Sequence, residues 1–185
     1  MILLAAERIL VEEGFSALTI RKIAIQIGYT VGSIYMVFEN RADLVLHINA
    51  ITLDHIAMQL GEIKRCTDAS DMDVLAKAYL NYAKHNLNRW RLVFDYHLPE
   101  GKPIPEWYQA KIDAIFRVVE VRFAQLSRNH TDAENKKAVR ILCAAVHGVC
   151  VLPLSNTFGK IDFDAIEDGV VLLTRNFMRG WMTSN

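Results

Sequence analysis

The sequence is short of cysteine, proline, net charge and long apolar runs, and each shortage narrows the reading. Three cysteines among 185 residues, Cys66, Cys143 and Cys150, leave an odd count without metal-ligand spacing. That fits a reducing compartment, the cytoplasm. Cys143 and Cys150 stand seven apart, on one helix face, and the cysteines read as small buried hydrophobes rather than a redox switch. Three of the four prolines fall between Leu98 and Pro105 together with Gly101, which makes that stretch a loop. No apolar run approaches the roughly 18 residues of a membrane span. The opening MILLAAERIL carries Glu7 and Arg8 and no basic leader, so it is not a signal peptide. Strand-like alternation, repeats and low-complexity segments are missing too. The six histidines (His47, His55, His85, His97, His130, His147) form no HExxH pair and no cluster with cysteine. His47 and His55, eight apart on one helix, are the nearest approach to a ligand pair. There is no phosphate loop and no GxSxG. No catalytic residue, metal site or cofactor is therefore expected, and the chain does not read as an enzyme.

Over half of the residues are hydrophobic and under a quarter are charged, enough for a buried core. The stretch that organises the chain is Thr19–Phe38. Thr19 caps a first helix over Ile20–Ile27, whose Ile20, Ile23, Ala24 and Ile27 recur on one face. Gly28 follows, where a left-handed backbone is cheap for glycine and the chain can turn sharply. Thr30 caps a second helix over Val31–Val37, which sends Ile34 and Phe38 inward. Ala24 is small enough for two helices to cross there. This is the spacing of a helix-turn-helix, whose second helix can enter the DNA major groove.

A helix over Ile2–Glu13, ended by Gly14, packs Ala5, Ala6, Ile9 and Leu10 across the pair to complete a three-helix unit. A long helix follows over Arg41–Ile63, with Leu44, Ile48, Ile51 and Met58 along one side. After a polar break at Thr67–Asp71, helices are expected over Met72–Leu87, from Asn88 onward, and over Pro105–Ser127. The pattern Thr131-Asp-Ala-Glu134 is a capping box opening a helix to Leu152 or Thr157, with Pro153 a kink or an end. Asp164-Ala-Ile-Glu167 is a second capping box, opening a helix to Met182. The fold class is all-α, with a helix-turn-helix domain expected at 1–44 and a larger helical bundle at 45–185.

Residues Thr19–Leu44 resemble the DNA-binding signature of TetR-family transcriptional regulators. The matching positions include Thr19, Ile23, Ala24, Gly28, Tyr29, Thr30, Gly32, Ile34, Tyr35, Phe38, Arg41 and Leu44. Ala144-Ala-Val-His147-Gly148 resembles the Trp-His-Gly type of TetR C-terminal domain, with Val146 at the tryptophan position. Val37 is another departure, standing where the family often has histidine or tyrosine. The resemblance implies that the helix from Val31 lies in the major groove and exposes Val31, Gly32, Ser33 and Met36. Ser33 then meets a base edge or a phosphate, Val31 a thymine methyl, and Gly32 allows close backbone approach. Tyr35 and Arg41 resemble the family's phosphate contacts. Thr30, at a helix N-terminus, also attracts phosphate, and Thr19 is counted with these DNA-binding residues. Taken singly, each of these has a purely structural use as a cap, a half-buried ring or a solvated helix end.

The resemblance further implies a homodimer through the last two helices, Thr131–Leu152 and Asp164–Met182, bound to double-stranded operator DNA as a repressor and released by a small-molecule effector. The aromatics Tyr79, Tyr82, Trp90, Phe94, Trp107 and Phe116, with His147, are candidates for the effector's cavity or are ordinary core packing. The imidazole of His147, in an apolar helix, needs a partner. A ligand, a backbone carbonyl or a tyrosine hydroxyl would serve, and a partner within the protein is favoured. Gly148 beside it is expected to permit close helix contact. Two rivals stand beside this reading. One is a regulator without a small-molecule ligand, controlled by a protein partner. The other is an all-α binding protein or enzyme that keeps the helix-turn-helix as scaffold.

Charge is the awkward feature. Lys and Arg total 21 and so do Asp and Glu. In the first 47 residues four cations (Arg8, Arg21, Lys22, Arg41) face five acids (Glu7, Glu12, Glu13, Glu39, Asp43). A DNA-reading unit usually shows a basic footprint. This one is expected to need dimerisation, and a basic leader ahead of Met1, to hold DNA well.

Overall fold

The computed structural model describes residues 1–66, 68–127, 129–154 and 163–183. Every regular element among them is helical. In chain order they are α1 (Ile2–Glu13), a 3-10 turn (Phe15–Ala17), α2 (Ile20–Ile27), α3 (Val31–Tyr35), α4 (Arg41–Glu62), α5 (Ser70–His85), α6 (Leu87–Asp95), α7 (Glu106–Leu126), α8 (Asp132–Leu154) and α9 (Phe163–Thr183).

Several ends differ from the sequence pattern, each for a local reason. α3 stops at Tyr35 rather than Val37. The N–H of Val37 and that of Phe38 both return to the Ile34 carbonyl at 3.0 Å, a tightened last turn that swings Phe38 into the core. α5 starts at Ser70, because Asp68 Oδ1 accepts the Ser70 N–H at 3.0 Å. The Thr131 capping box forms: Glu134 Oε2 accepts the Thr131 N–H at 2.8 Å, and Thr131 Oγ1 accepts the Glu134 N–H at 3.3 Å. The Thr131 hydroxyl, and then its N–H, hold the Glu134 carboxyl below its ordinary value. The second box does not cap where expected. α9 begins at Phe163, so Asp164 lies in its first turn, where an acid complements the helix dipole. α8 runs through Pro153 to Leu154; the alternative end at Thr157, like Thr67 in the polar break, lies outside the described residues.

The chain divides into two compact units, 1–55 with 86–112 and 56–85 with 113–185. This division by contacts differs from a division by motif, because α6 joins the first unit. There Leu92 is buried among Ile9, Leu10, Ile23, Ala24, Ile34, Phe38, Leu44 and Ile48. The Asn49 Nδ2 donates to the Leu92 carbonyl at 3.2 Å, Asn88 Nδ2 donates to the Val11 carbonyl at 3.1 Å, and Arg89 lies 3.5 Å from the buried Glu7. A bare three-helix unit thus gains a fourth element that covers α1. On α4, Leu44 and Ile48 are buried as expected, but Met58 is 56% exposed.

In the second unit α5, α8 and α9 pack together around Leu75, Ala83, Val139, Leu142, Val146, Val170 and Met178. Polar pairs cross this unit. Arg122 Nε lies 3.6 Å from Asp71 Oδ2, both buried. Arg175 Nε donates to Asp73 at 2.7 Å, and Trp181 Nε1 donates to Ser127 Oγ at 2.8 Å. Burial pushes the Cys143 and Cys150 thiols up to about 12, away from thiolate chemistry. Cys66 is exposed, contrary to the reading of a buried hydrophobe, because it falls in the connection after α4. A Cβ on Gly148 would meet nothing within 4 Å, so among the described residues no element makes the close approach expected there.

Candidate nucleic-acid interface

The interface is built from two capped helices and the glycine between them. Thr19 Oγ1 accepts the Lys22 N–H at 3.2 Å and opens α2. Gly28 follows at φ 72°, a left-handed conformation that costs a side-chain-bearing residue about 1–2 kcal/mol. The N–H of Gly28 returns to Ile25 and that of Tyr29 to Ala24, at 3.2 and 2.9 Å, which satisfies the last carbonyls of α2. Thr30 Oγ1 then accepts the Ser33 N–H at 3.2 Å and opens α3.

Ile34 is fully buried, and it fixes which side of α3 faces away from the core. On that outer side Met36 is 88% and Tyr35 48% exposed, with Val31, Gly32 and Val37 also exposed. Ser33 is half-buried, its hydroxyl 3.0 Å from that of Thr30, so the two hydroxyls form one polar spot at the helix start. Gly32 has an ordinary helical backbone, and a Cβ there would meet only Thr30 Oγ1, at 3.7 Å. The fold itself therefore does not need a glycine at 32. Ile25 and Tyr29 are exposed as well, two apolar groups that the sequence reading gave no role. Position 29 lies between the two helices, which is the signal that could have marked it.

Arg41 opens α4, and its start is fixed by neighbours: Asn40 Oδ1 accepts the Asp43 N–H at 3.0 Å and Asp43 Oδ2 the Glu39 N–H at 3.1 Å. The Arg41 guanidinium lies 5.0 Å above the Phe15 ring and donates a long, 3.4 Å bond to the Leu18 carbonyl. Both contacts hold it beside the turn that follows α1. The head's excess of acid is partly answered within the unit. Glu7 pairs with Arg89 and Glu13 with Lys22, while Asp43 lies 3.3 Å from His47. Arg8 and Arg21 stay exposed.

The seven pocket candidates fall in different units. Trp90, Phe94 and Trp107 belong to the first. There Trp90 is buried against Phe94, with centroids 5.1 Å apart, and Trp107 is half-exposed beside His47 at 4.6 Å. Tyr79, Tyr82, Phe116 and His147 belong to the second. Tyr82 is buried on α5. The Tyr79 hydroxyl is 2.8 Å from His147 Nδ1, which identifies the internal partner that the imidazole requires. Phe116 lies under the Arg140 guanidinium at 4.3 Å. Among the described residues no helix is long and apolar enough to cross a membrane.

Comparison with known proteins agrees with this geometry. Residues 2–48 match the model for bacterial regulatory proteins of the tetR family, and residues 73–176 match that for the tetracyclin repressor-like C-terminal domain. The chain is 29% identical over 163 residues to an uncharacterised HTH-type transcriptional regulator of Mycobacterium tuberculosis, covering 86% of this chain and 72% of that one. Its fold is similar to a TetR variant from Acinetobacter baumannii AYE in complex with minocycline (TM-score 0.67, 16% identity, 97% of this chain and 96% of that chain). It is also similar to BioQ with its double-stranded DNA operator (TM-score 0.63, 18% identity, 96% of each chain). With both parts of the chain matched and the helix-turn-helix fully capped, the chain belongs to the TetR family, as a DNA-binding transcriptional regulator and not an enzyme.

Proposed function

We propose that the chain is a homodimeric repressor that leaves its operator when a small molecule binds its C-terminal part. The observation that carries the DNA half is the outer face of α3, where Tyr35 and Met36 are exposed on the side away from a fully buried Ile34, with Val31 exposed at the helix start. On this reading residues 1–44 read DNA and 45–185 bind ligand and dimerise. Thr19, Thr30 and Ser33 present helix-start donors to phosphate, Val31 and Met36 pack on base edges, and Gly32 brings the backbone close. Tyr35 touches phosphate directly. Arg41 does so by leaving the Leu18 carbonyl, a long bond that is cheap to exchange for a charge-assisted one. BioQ, similar in fold, is seen with its operator, which supports the same use of this head.

Dimerisation through α8 and α9 is supported by what they leave uncovered. Ile141 on α8 and Leu172 on α9 are large, apolar and more than half exposed, and Gly148 leaves space on α8. Two recognition helices must sit about 34 Å apart to read successive turns of one DNA face. A ligand that prefers one spacing shifts the balance by its differential affinity alone. α4, whose residues run from the first unit into the second, is the element proposed to carry that change. The TetR variant similar in fold binds minocycline, which supports a small-molecule effector here.

A random-oligonucleotide selection tests the reading. Recovery of a palindrome with half-sites about one helical turn apart is expected; repeated failure to enrich any sequence would sink it.

A further inference from the structure

The second unit contains an open groove of about 270 Å³ at the C-terminal end of α4. Arg65, in the connection that follows α4, closes one side, and α7 supplies Ala114, Arg117, Val118, Val121 and Arg122. The α7 residues recur at steps of three and four, so a single helix face presents them. The groove joins an apolar floor to three guanidiniums.

Those guanidiniums differ in how far they are satisfied. Arg122 is 2% exposed, held by Asp71 at 3.6 Å and by the Ile63 carbonyl, to which its Nη2 donates. Its Nη1 is shut off from water and has no hydrogen-bond partner among the described residues. A buried N–H on a charged group left without an acceptor is costly. Arg65 and Arg117 are exposed, and neither is ion-paired among the described residues. The nearby acids have other work. Asp71 also accepts the Cys66 N–H at 2.7 Å, and Asp113 lies 3.5 Å from Arg140. Glu62, which follows the lining Gly61 in the chain, is exposed to water. Asp71 pairs with Arg122.

We propose that this groove binds a small organic carboxylate, its anionic end held by the exposed Arg65 and Arg117, its apolar body on Ala114, Val118 and Val121, with the buried charge of Arg122 behind them. A planar carboxylate suits guanidinium forks. The volume lies just under the roughly 300–1,000 Å³ of pockets that take drug-sized ligands, so the ligand is small. The groove gives the effector proposed above a chemical class, and it rests on that reading only for the regulatory consequence.

The test is calorimetric titration of the full chain, without DNA, using octanoate and benzoate, their uncharged amides, and inorganic phosphate. Saturable binding of at least one carboxylate is expected, with its amide about tenfold weaker or worse and phosphate without effect. The exposed pair Arg65→Gln with Arg117→Gln should fold normally and lose about tenfold or more of the affinity. Binding of neither carboxylate, equal binding of the amide, binding of phosphate at the same strength, or an unchanged affinity in the double variant would each overturn the site. Operator affinity measured with the bound carboxylate decides the effector reading separately. No change there would refute release by this ligand while leaving the groove's chemistry as measured.

Discussion

The helix-turn-helix of the first unit and the whole of the second are shaped by different chemistry, although α6 too is tied to the first unit by long-range polar contacts, Asn49 to Leu92 and Asn88 to Val11. In the first, an apolar cluster from Ala5 to Leu92 does the packing, and the polar contacts that shape α2, α3 and the start of α4 span three or four residues. In the second, charged and polar groups reach across long stretches of chain: Arg122 to Asp71, Arg175 to Asp73, Tyr79 to His147, Trp181 to Ser127. The first arrangement leaves the outer face of α3 outside the packing. The second places titratable and donor groups inside the unit.

The difference is sharpest at Arg122. Removing one partner of a buried ion pair leaves the other charge stranded, at about 3–5 kcal/mol. Arg122→Ala should therefore cost that much in urea denaturation of the whole chain. A loss near the roughly 0.5 kcal/mol of a surface change would mean that the second unit does not depend on its polar pairs. The matching change in the head is backbone rather than charge. Gly28→Ala forces a side chain into the left-handed region and should cost about 1–2 kcal/mol. Smaller again is the cap: Thr30→Ala removes the acceptor of the Ser33 N–H and should cost about 1 kcal/mol, with α3 as the segment that loses amide protection.

The same contrast explains what was legible in the sequence. Thr19, Gly28, Thr30 and the Thr131 box act on backbone groups a few residues away, so their spacing alone announces them. α6 could not be assigned to the first unit by pattern, since the bond that ties it down joins Asn49 to Leu92, 43 residues on. His147 was known to need a partner, but Tyr79 is 68 residues away and only the fold selects it from the alternatives. The groove on α7 escaped for a related reason. Arg117 and Arg122 read as ordinary charges on a long helix until Arg65 and the burial of Arg122 give them a common setting. On the outer face of α3 the exposed residues follow from Ile34 facing inward, whereas the engagement of Arg41 with Phe15 and Leu18 does not follow from the pattern.

The smallest expected effect on stability separates fold from function most cleanly. Gly32 has no strained backbone, and a Cβ there meets only Thr30 Oγ1 at 3.7 Å, an ordinary contact. Alanine also favours a helix over glycine by up to about 1 kcal/mol. Gly32→Ala should thus leave the melting temperature unchanged or slightly higher. If α3 enters the major groove by this face, the added methyl meets DNA instead of protein, and an overpacked contact costs about 1–3 kcal/mol. Operator affinity should then fall by about tenfold or more, a change that fluorescence anisotropy resolves. Tyr35→Ala makes a useful partner, because loss of a phosphate contact should lower affinity on every sequence and reduce the salt slope by about one. A Gly32→Ala protein that is as stable as the parent and binds its operator equally well would remove Gly32 from the interface, and with it the proposed orientation of α3.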